Sequence, residues 1–195
     1  MLKEFSNAKS REDLCTLGYH KYPFSAQFND TYFPAVDGVV RTMHSYAARM
    51  NRIAKCVVVV PKVKKDYRDE FVYPVLRAKS VPFVQGYSAP APSFSRKMTK
   101  ELMSQGLDIY HAHSPFMMGH YARRISKKLG IPMVATFHSK YYDDFMTVTG
   151  SKIISEQLVE YIVRFYNSAD AVWTVSRGTA ETLRSYGYKG GITVM

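Results

Sequence analysis

Cys56-Val57-Val58-Val59-Val60 constrains the fold more than any other segment of this chain. Five successive apolar side chains, four of them β-branched, make a strand apolar on both faces. Such a strand is covered on both sides, which is the signature of a parallel sheet sandwiched by helices. The rest of the sequence supplies the partners. Phe24–Phe28, Phe71–Val75, Asp108–Ala112, Pro132–Phe137, Ala171–Val175 and Ile192–Met195 read as further strands. Between them, apolar residues recur at helical spacing: Val39/Val40, Met43, Tyr46/Ala47 and Met50; then Met117, Met118, Tyr121, Ala122, Ile125 and Leu129; then Ile154, Leu158, Ile162 and Phe165. Ser93 and Ser176 are expected to cap helices at about 94–104 and 177–186, and residues 79–95 read as irregular. Strand–helix alternation of this kind predicts an α/β fold, a Rossmann-like doubly wound parallel sheet.

At 195 residues, the length fits one domain, with residues 1–22 as an N-terminal extension and 23–195 as the folded unit. Two cysteines exclude a disulfide framework and make a reducing cytoplasm the default. Residues 1–20 lack the apolar core of a signal peptide, and no apolar run reaches membrane-spanning length. The net charge of +11 favours polyanionic neighbours: phosphorylated ligands, nucleic acid or an anionic membrane.

Ligands of open parallel sheets bind beyond the carboxyl ends of the strands, so the loops there carry the candidates. Gly38 at the mouth of a helix would let backbone N–H groups approach an anion, although a lone turn glycine is the commoner reading. His111 and His113, two apart, share one strand face. No cysteine or carboxylate at ligand spacing accompanies them, which argues against a metal. One is expected to line a cleft and the other to meet a buried polar partner. His120 is expected on a solvated helix face. His138 ends a buried strand and is followed by Tyr141, Tyr142, Asp143 and Asp144. It reads equally as a ligand to a hydroxyl or phosphate and as a structural histidine satisfied by a carbonyl. Phosphate-loop, nucleophile-elbow and H-E-x-x-H motifs are absent from the sequence, and both cysteines read as packing residues.

Four segments, in order, resemble the N-terminal half of a family 4 retaining glycosyltransferase of GT-B fold. They are FNDTYFPAVDGVVRT, DIYHAHSPF, GIPMVATFHSKYYDDF and ADAVWTVSRGTAETLRSYGY. The flavour is that of the subgroup that glucosylates diacylglycerol or related lipids, and the similarity runs from about residue 24 onward. The resemblance implies a nucleotide-sugar substrate, a UDP- or GDP-sugar, with no other cofactor and no metal. It places Gly38 and Val39 on the donor diphosphate and gives His138 the catalytic contact with the transferred sugar. Phe33, His113, Tyr141 and Tyr142 fall on the acceptor side, the acceptor being a lipid or carbohydrate hydroxyl. It further implies a C-terminal donor domain that these 195 residues do not contain, and hence an acceptor half inactive alone.

A second reading is a basic peripheral membrane module without catalysis, resting on Arg123, Arg124, Lys127 and Lys128 with Lys62, Lys64, Lys65, Arg96, Lys97 and Lys100. The two readings are compatible, since a lipid acceptor is collected at a membrane surface, here the inner, cytoplasmic face. Nucleic-acid binding rests on charge alone, with no accompanying motif, and is not expected.

Overall fold

The computed structural model describes residues 22–63, 67–82 and 88–195; most of the N-terminal extension, and Lys64 and Lys65, lie outside the described residues. Seven strands form one sheet: β1 (Ser25–Phe28), β2 (Cys56–Pro61), β3 (Val75–Ala78), β6 (Ile109–Ala112), β7 (Met133–Phe137), β8 (Ala171–Thr174) and β9 (Thr193–Val194). Their order is β3-β2-β1-β6-β7-β8-β9, every pairing parallel. A two-stranded antiparallel ribbon, β4 (Ser80–Pro82) with β5 (Ser88–Pro90), stands apart. The helices are α1 (Gly38–Met50), α2 (Arg96–Met103), α3 (Met117–Leu129), α4 (Tyr141–Thr149), α5 (Lys152–Ser168) and α6 (Arg177–Ser185). This is the doubly wound sheet that the alternation predicts.

Period-two alternation sorts the strand residues between two cores. Ala26, Phe28, Val57, Val59, Tyr110, Ala112, Met133, Ala135 and Phe137 meet α3, α5 and α6 through Met118, Tyr121, Ile125, Ile162, Phe165 and Leu183. Cys56, Val58 and Val60 face the other way, onto Val40, Met43 and Ala47 of α1. Further along that second face the residues turn polar. Ser25, Gln27, His111 and Thr136 are all buried there.

Four local expectations are corrected. The third strand starts at Val75, not Phe71, because Pro74 has no N–H to donate and contributes only its carbonyl, to Val58 N at 2.9 Å. Phe71 and Tyr73 instead stack on each other, centroids 5.3 Å apart, beside Tyr32, Phe33 and His44. Residues 79–95 hold β4, β5 and a 3-10 turn, Pro92–Phe94, rather than irregular chain. Ser95, not Ser93, precedes α2, and its hydroxyl accepts from Lys79 N at 2.6 Å instead of capping the helix. Finally, α4 had no counterpart in the sequence reading. Tyr141 and Phe145, one turn apart and stacked at 6.1 Å, form its inner face, and Gly150, at φ 61°, ends it.

Gly119, in the first turn of α3, lets that helix approach the loop after β6. A Cβ there would collide with the backbone carbonyl of Ser114 and lie 3.0 Å from the Phe165 ring. Backbone cannot yield as a flexible side chain does, so Gly119→Ala is expected to cost about 3 kcal/mol. Urea unfolding of the two proteins measures it, and a loss below about 1 kcal/mol would mean that α3 is free to shift.

Candidate functional site

The chain leaves β1 toward β2 on one side and reaches β6 on the other, so the strand order reverses between β1 and β6. A crevice opens beyond the carboxyl ends at such a point. Three loops meet there: residues 29–37 after β1, 113–116 after β6 and 138–140 after β7.

Asp30 ties the first two loops together. One carboxylate oxygen accepts from Met118 N at 3.0 Å, the other takes the Ser114 hydroxyl, and the Ser114 oxygen accepts from Asp30 N at 3.1 Å. The carboxylate thus occupies the N-terminus of α3, where unspent amides and the helix dipole favour negative charge. Burial raises its pKa, against those hydrogen bonds. At α1 the cap is Asp37, which accepts from Val40 N at 2.7 Å and from the Thr31 hydroxyl at 3.3 Å. Gly38 is exposed, with no atom within 4 Å of where a Cβ would stand. A ligand can therefore approach the Gly38 and Val39 backbone closely, beside the Asp37 carboxylate.

The third loop carries His138, and beneath it lies a stack of histidines. His113 Nδ1 is 3.0 Å from His138 Nε2, with ring centroids 5.2 Å apart. On its far side, His113 Nε2 is 2.7 Å from Gln27 Oε1. His111 packs against His113 at 4.1 Å and reaches Thr136 Oγ1 at 2.7 Å. Parallel register explains the assembly, since Gln27 pairs with His111 across β1–β6 and His113 continues that face beyond the strand. Burial pushes His111 down to about 3, with His138 adding to the shift, and puts His113 well below the usual imidazole range. His138 falls to about 4, again through burial, partly offset by the Asp37 charge. All three rings are neutral at pH 7. An apolar cavity of about 260 Å³ adjoins the stack, lined by Tyr46, Met50, Ile109, His111 and Trp173 among others.

The remaining candidates are dispersed. His113 is 1% exposed and reaches a ligand only through His138. Phe33 belongs to the aromatic cluster with Tyr32, His44 and Phe71, and its carbonyl accepts from Arg77 at 2.9 Å. Tyr141, expected on the acceptor side, is a core ring among Phe116, Phe137 and Phe145. Tyr142 lines a separate depression with Glu156, Glu160 and Tyr186, its N–H donating to the Tyr186 hydroxyl at 2.9 Å. His120 is not solvated: it packs on Tyr161 and Phe165 at about 5 Å, joining α3 to α5.

The basic face also changes. Arg123 binds Asp170 at 3.0 Å, and Asp170 in turn accepts from Met133 N at 2.8 Å. That leaves Arg124, Lys127 and Lys128 exposed on α3. Met117, assigned to the inward stripe, is 52% exposed. Among the described residues no helix is long and apolar enough to cross a membrane, and no group of three or more His, Cys, Asp or Glu is placed to hold a metal ion. Gln27, Asp30 and Asp37 escaped the sequence reading. A period-two pattern of Ser25 and Gln27 in an otherwise apolar strand was the available signal for the first.

The sequence profile of glycosyltransferase family 4 matches residues 36–195. An alpha-monoglucosyldiacylglycerol synthase of Streptococcus pneumoniae is 28% identical over 165 residues, covering 83% of this chain and 37% of the relative. A synthase of the same name from Acholeplasma laidlawii is 26% identical over 124 residues, covering 60% of this chain and 30% of the relative. The chain thus spans about a third of the length of these relatives. Among solved structures, HepE of Anabaena in complex with UDP-glucose superposes with a TM-score of 0.61 at 12% identity, over 89% of this chain and 44% of that one. Sucrose-phosphate synthase of Thermosynechococcus elongatus gives 0.63 at 13% identity, over 89% and 47%. At such identities the likeness concerns the fold.

Proposed function

The chain belongs to glycosyltransferase family 4, and on that premise we propose that it is the acceptor-binding half of a retaining enzyme that moves glucose from a nucleotide sugar to a diacylglycerol-type lipid. The observation that carries the reading is the neutral His138, standing on a buried histidine stack at the mouth of the β1–β6 crevice. In this reading His138 contacts the transferred sugar, and the Gly38 and Val39 amides approach the donor diphosphate. A C-terminal domain supplies the other donor contacts. In this reading positioning and leaving-group stabilisation provide most of the rate. The donor is a UDP-sugar, by analogy with the UDP-glucose bound by HepE, and the two lipid-glucoside synthases suggest the acceptor.

The test is a titration of the isotope-labelled chain with bicelles containing diacylglycerol or its monoglucoside. Amides of residues 31–39 and 138–140 are expected to shift with the acceptor lipid and not with phosphatidylcholine alone. No acceptor-specific shift in either segment would overturn the assignment of an acceptor site.

Such an enzyme works at the inner face of a membrane as a peripheral protein, and the exposed Arg124, Lys127 and Lys128 of α3 favour that location. Each basic residue near an anionic surface contributes on the order of 1 kcal/mol. Reversing these three to Glu is expected to weaken binding to anionic vesicles at least about 100-fold. Arg123 is left intact, because a carboxylate there would face Asp170 and disturb the fold. Sedimentation with vesicles of rising anionic content measures the effect; unchanged binding would remove α3 from the membrane contact.

A further inference from the structure

The Gln27–His113–His138 chain determines which way its protons point. The Gln27 amide is oriented by its other end: its Nε2 faces Ser25 Oγ at 3.5 Å and Met50 Sδ at 3.8 Å. Ser25 Oγ also lies 3.5 Å from Cys56 Sγ and 3.9 Å from Met50 Sδ; with its hydrogen donated to sulfur, its lone pairs face the Gln27 NH₂. Gln27 therefore presents Oε1, which only accepts, to His113. His113 must carry its proton on Nε2. In a neutral ring the other nitrogen is then a bare acceptor. That acceptor, Nδ1, lies 3.0 Å from His138 Nε2, which must donate.

We propose that His113 is a positioning residue that, anchored by Gln27, holds His138 as the tautomer protonated on Nε2 and unprotonated on Nδ1, so that the site offers its ligand a hydrogen-bond acceptor. The chemistry selects what can sit there. A hydroxyl group donates to Nδ1, whereas a phosphate oxygen or a carbonyl, having no proton to give, meets lone pair against lone pair. By residue type alone a histidine serves a hydroxyl or a phosphate equally well; the hydrogen-bond chain assigns His138 a hydroxyl. Identifying that hydroxyl as one of the transferred sugar rests on the glycosyltransferase reading. The tautomer does not.

The deep placement of the chain is what makes it effective. Gln27 is 1% exposed and His113 likewise 1%, so water does not compete for either bond. Tyr46 and His111 pack against the His113 ring, with centroids 6.0 and 4.1 Å away. The neutral state expected at pH 7 agrees with the lowered pKa values of both rings.

Long-range proton–nitrogen spectra of the histidine-labelled chain at pH 7 test the proposal without any need for turnover. His138 should show a protonated Nε2 and a bare Nδ1. A coupling across the hydrogen bond should link its Nε2 proton to His113 Nδ1. His113→Phe should abolish that coupling and expose the His138 ring proton to fast solvent exchange. Gln27→Glu, which keeps an acceptor in place, should retain the coupling, and this second variant serves if the first fails to fold. Observation in the wild-type chain of the proton on His113 Nδ1, or of a mixed His138 tautomer, overturns the proposal. If the tautomer is as stated but His138→Ala leaves catalysis unchanged, the glycosyltransferase role of His138 fails while the positioning role stands.

Discussion

His138→Ala in the complete transferase is expected to lower kcat by about 10²–10³ and to leave the acceptor KM nearly unchanged. A group that meets the sugar as it transfers acts mainly on the transition state, and loss of one such positioned contact costs about 2.7–4 kcal/mol. Uniform substrate binding would show the opposite pattern, a raised KM with kcat intact. The surroundings of His138 favour the first outcome. Its Nε2 is already committed to His113, and the ring is neutral at pH 7. The ring is therefore oriented before any ligand arrives, and reorienting it adds nothing to the barrier. Steady-state kinetics with a nucleotide sugar and a diacylglycerol acceptor measure both constants. A variant within about threefold of wild-type kcat, well short of the loss expected of such a contact, would make His138 a structural histidine.

The architecture was legible because its signals are local. Five apolar residues in β2 demand two covered faces, and the stripes of α1 and α3 repeat at helical spacing within a few turns. Where the reading failed, a tertiary partner had overridden the local pattern. Phe71 and Tyr73 look like strand residues, yet Tyr32, Phe33 and His44 offer them an aromatic cluster outside the sheet. Met117 fits the inward stripe of α3 but is half-exposed, while its neighbour Met118 enters the core.

The site was half legible for a related reason. Period two placed His111 and His113 on one face, and the end of a buried strand marked out His138. What the spacing could not reveal is that β1 pairs with β6 across most of a hundred residues of chain. That crossover brings Gln27 beneath His113 and Asp30 against Ser114, and neither contact has a signature in the neighbouring sequence. Tyr141 was misplaced by the same lack of long-range information. Beside a candidate histidine it resembles a ligand-binding tyrosine, but α5 covers it through Tyr166. Arg123 has the charge of a surface group and the partner of a structural one, Asp170, 47 residues away.

Acidification from pH 7 to pH 5 is expected to remove about 2 kcal/mol of folding stability through His111, with His113 adding to the loss. Both are held neutral by burial in the folded protein, His111 down to about 3 and His113 well below the usual range. In the unfolded chain each titrates near 6.5, so between pH 7 and pH 5 the unfolded state binds protons that the folded state refuses. A depressed histidine pKa therefore gives stability that is complete above about pH 6.5 and is lost progressively as pH falls toward the folded value. Over these two pH units the loss through His111 is about 2 kcal/mol, and His113 and His138, the latter lowered to about 4, add to it in the same direction. Asp30 works in the opposite sense, because burial raises its pKa and its desolvation penalty is relieved when it protonates. Its ordinary range lies below this window, and the histidines dominate within it. For a chain of this length, about 2 kcal/mol corresponds to a fall of about 6 °C in Tm. Thermal and urea unfolding at pH 7, 6 and 5 follow the curve, and His111→Gln should flatten its slope by removing one of the titrating groups. A stability unchanged between pH 7 and pH 5 would show that the histidine stack accepts a proton without unfolding. The neutral, oriented His138 on which the proposed chemistry depends would then have no basis.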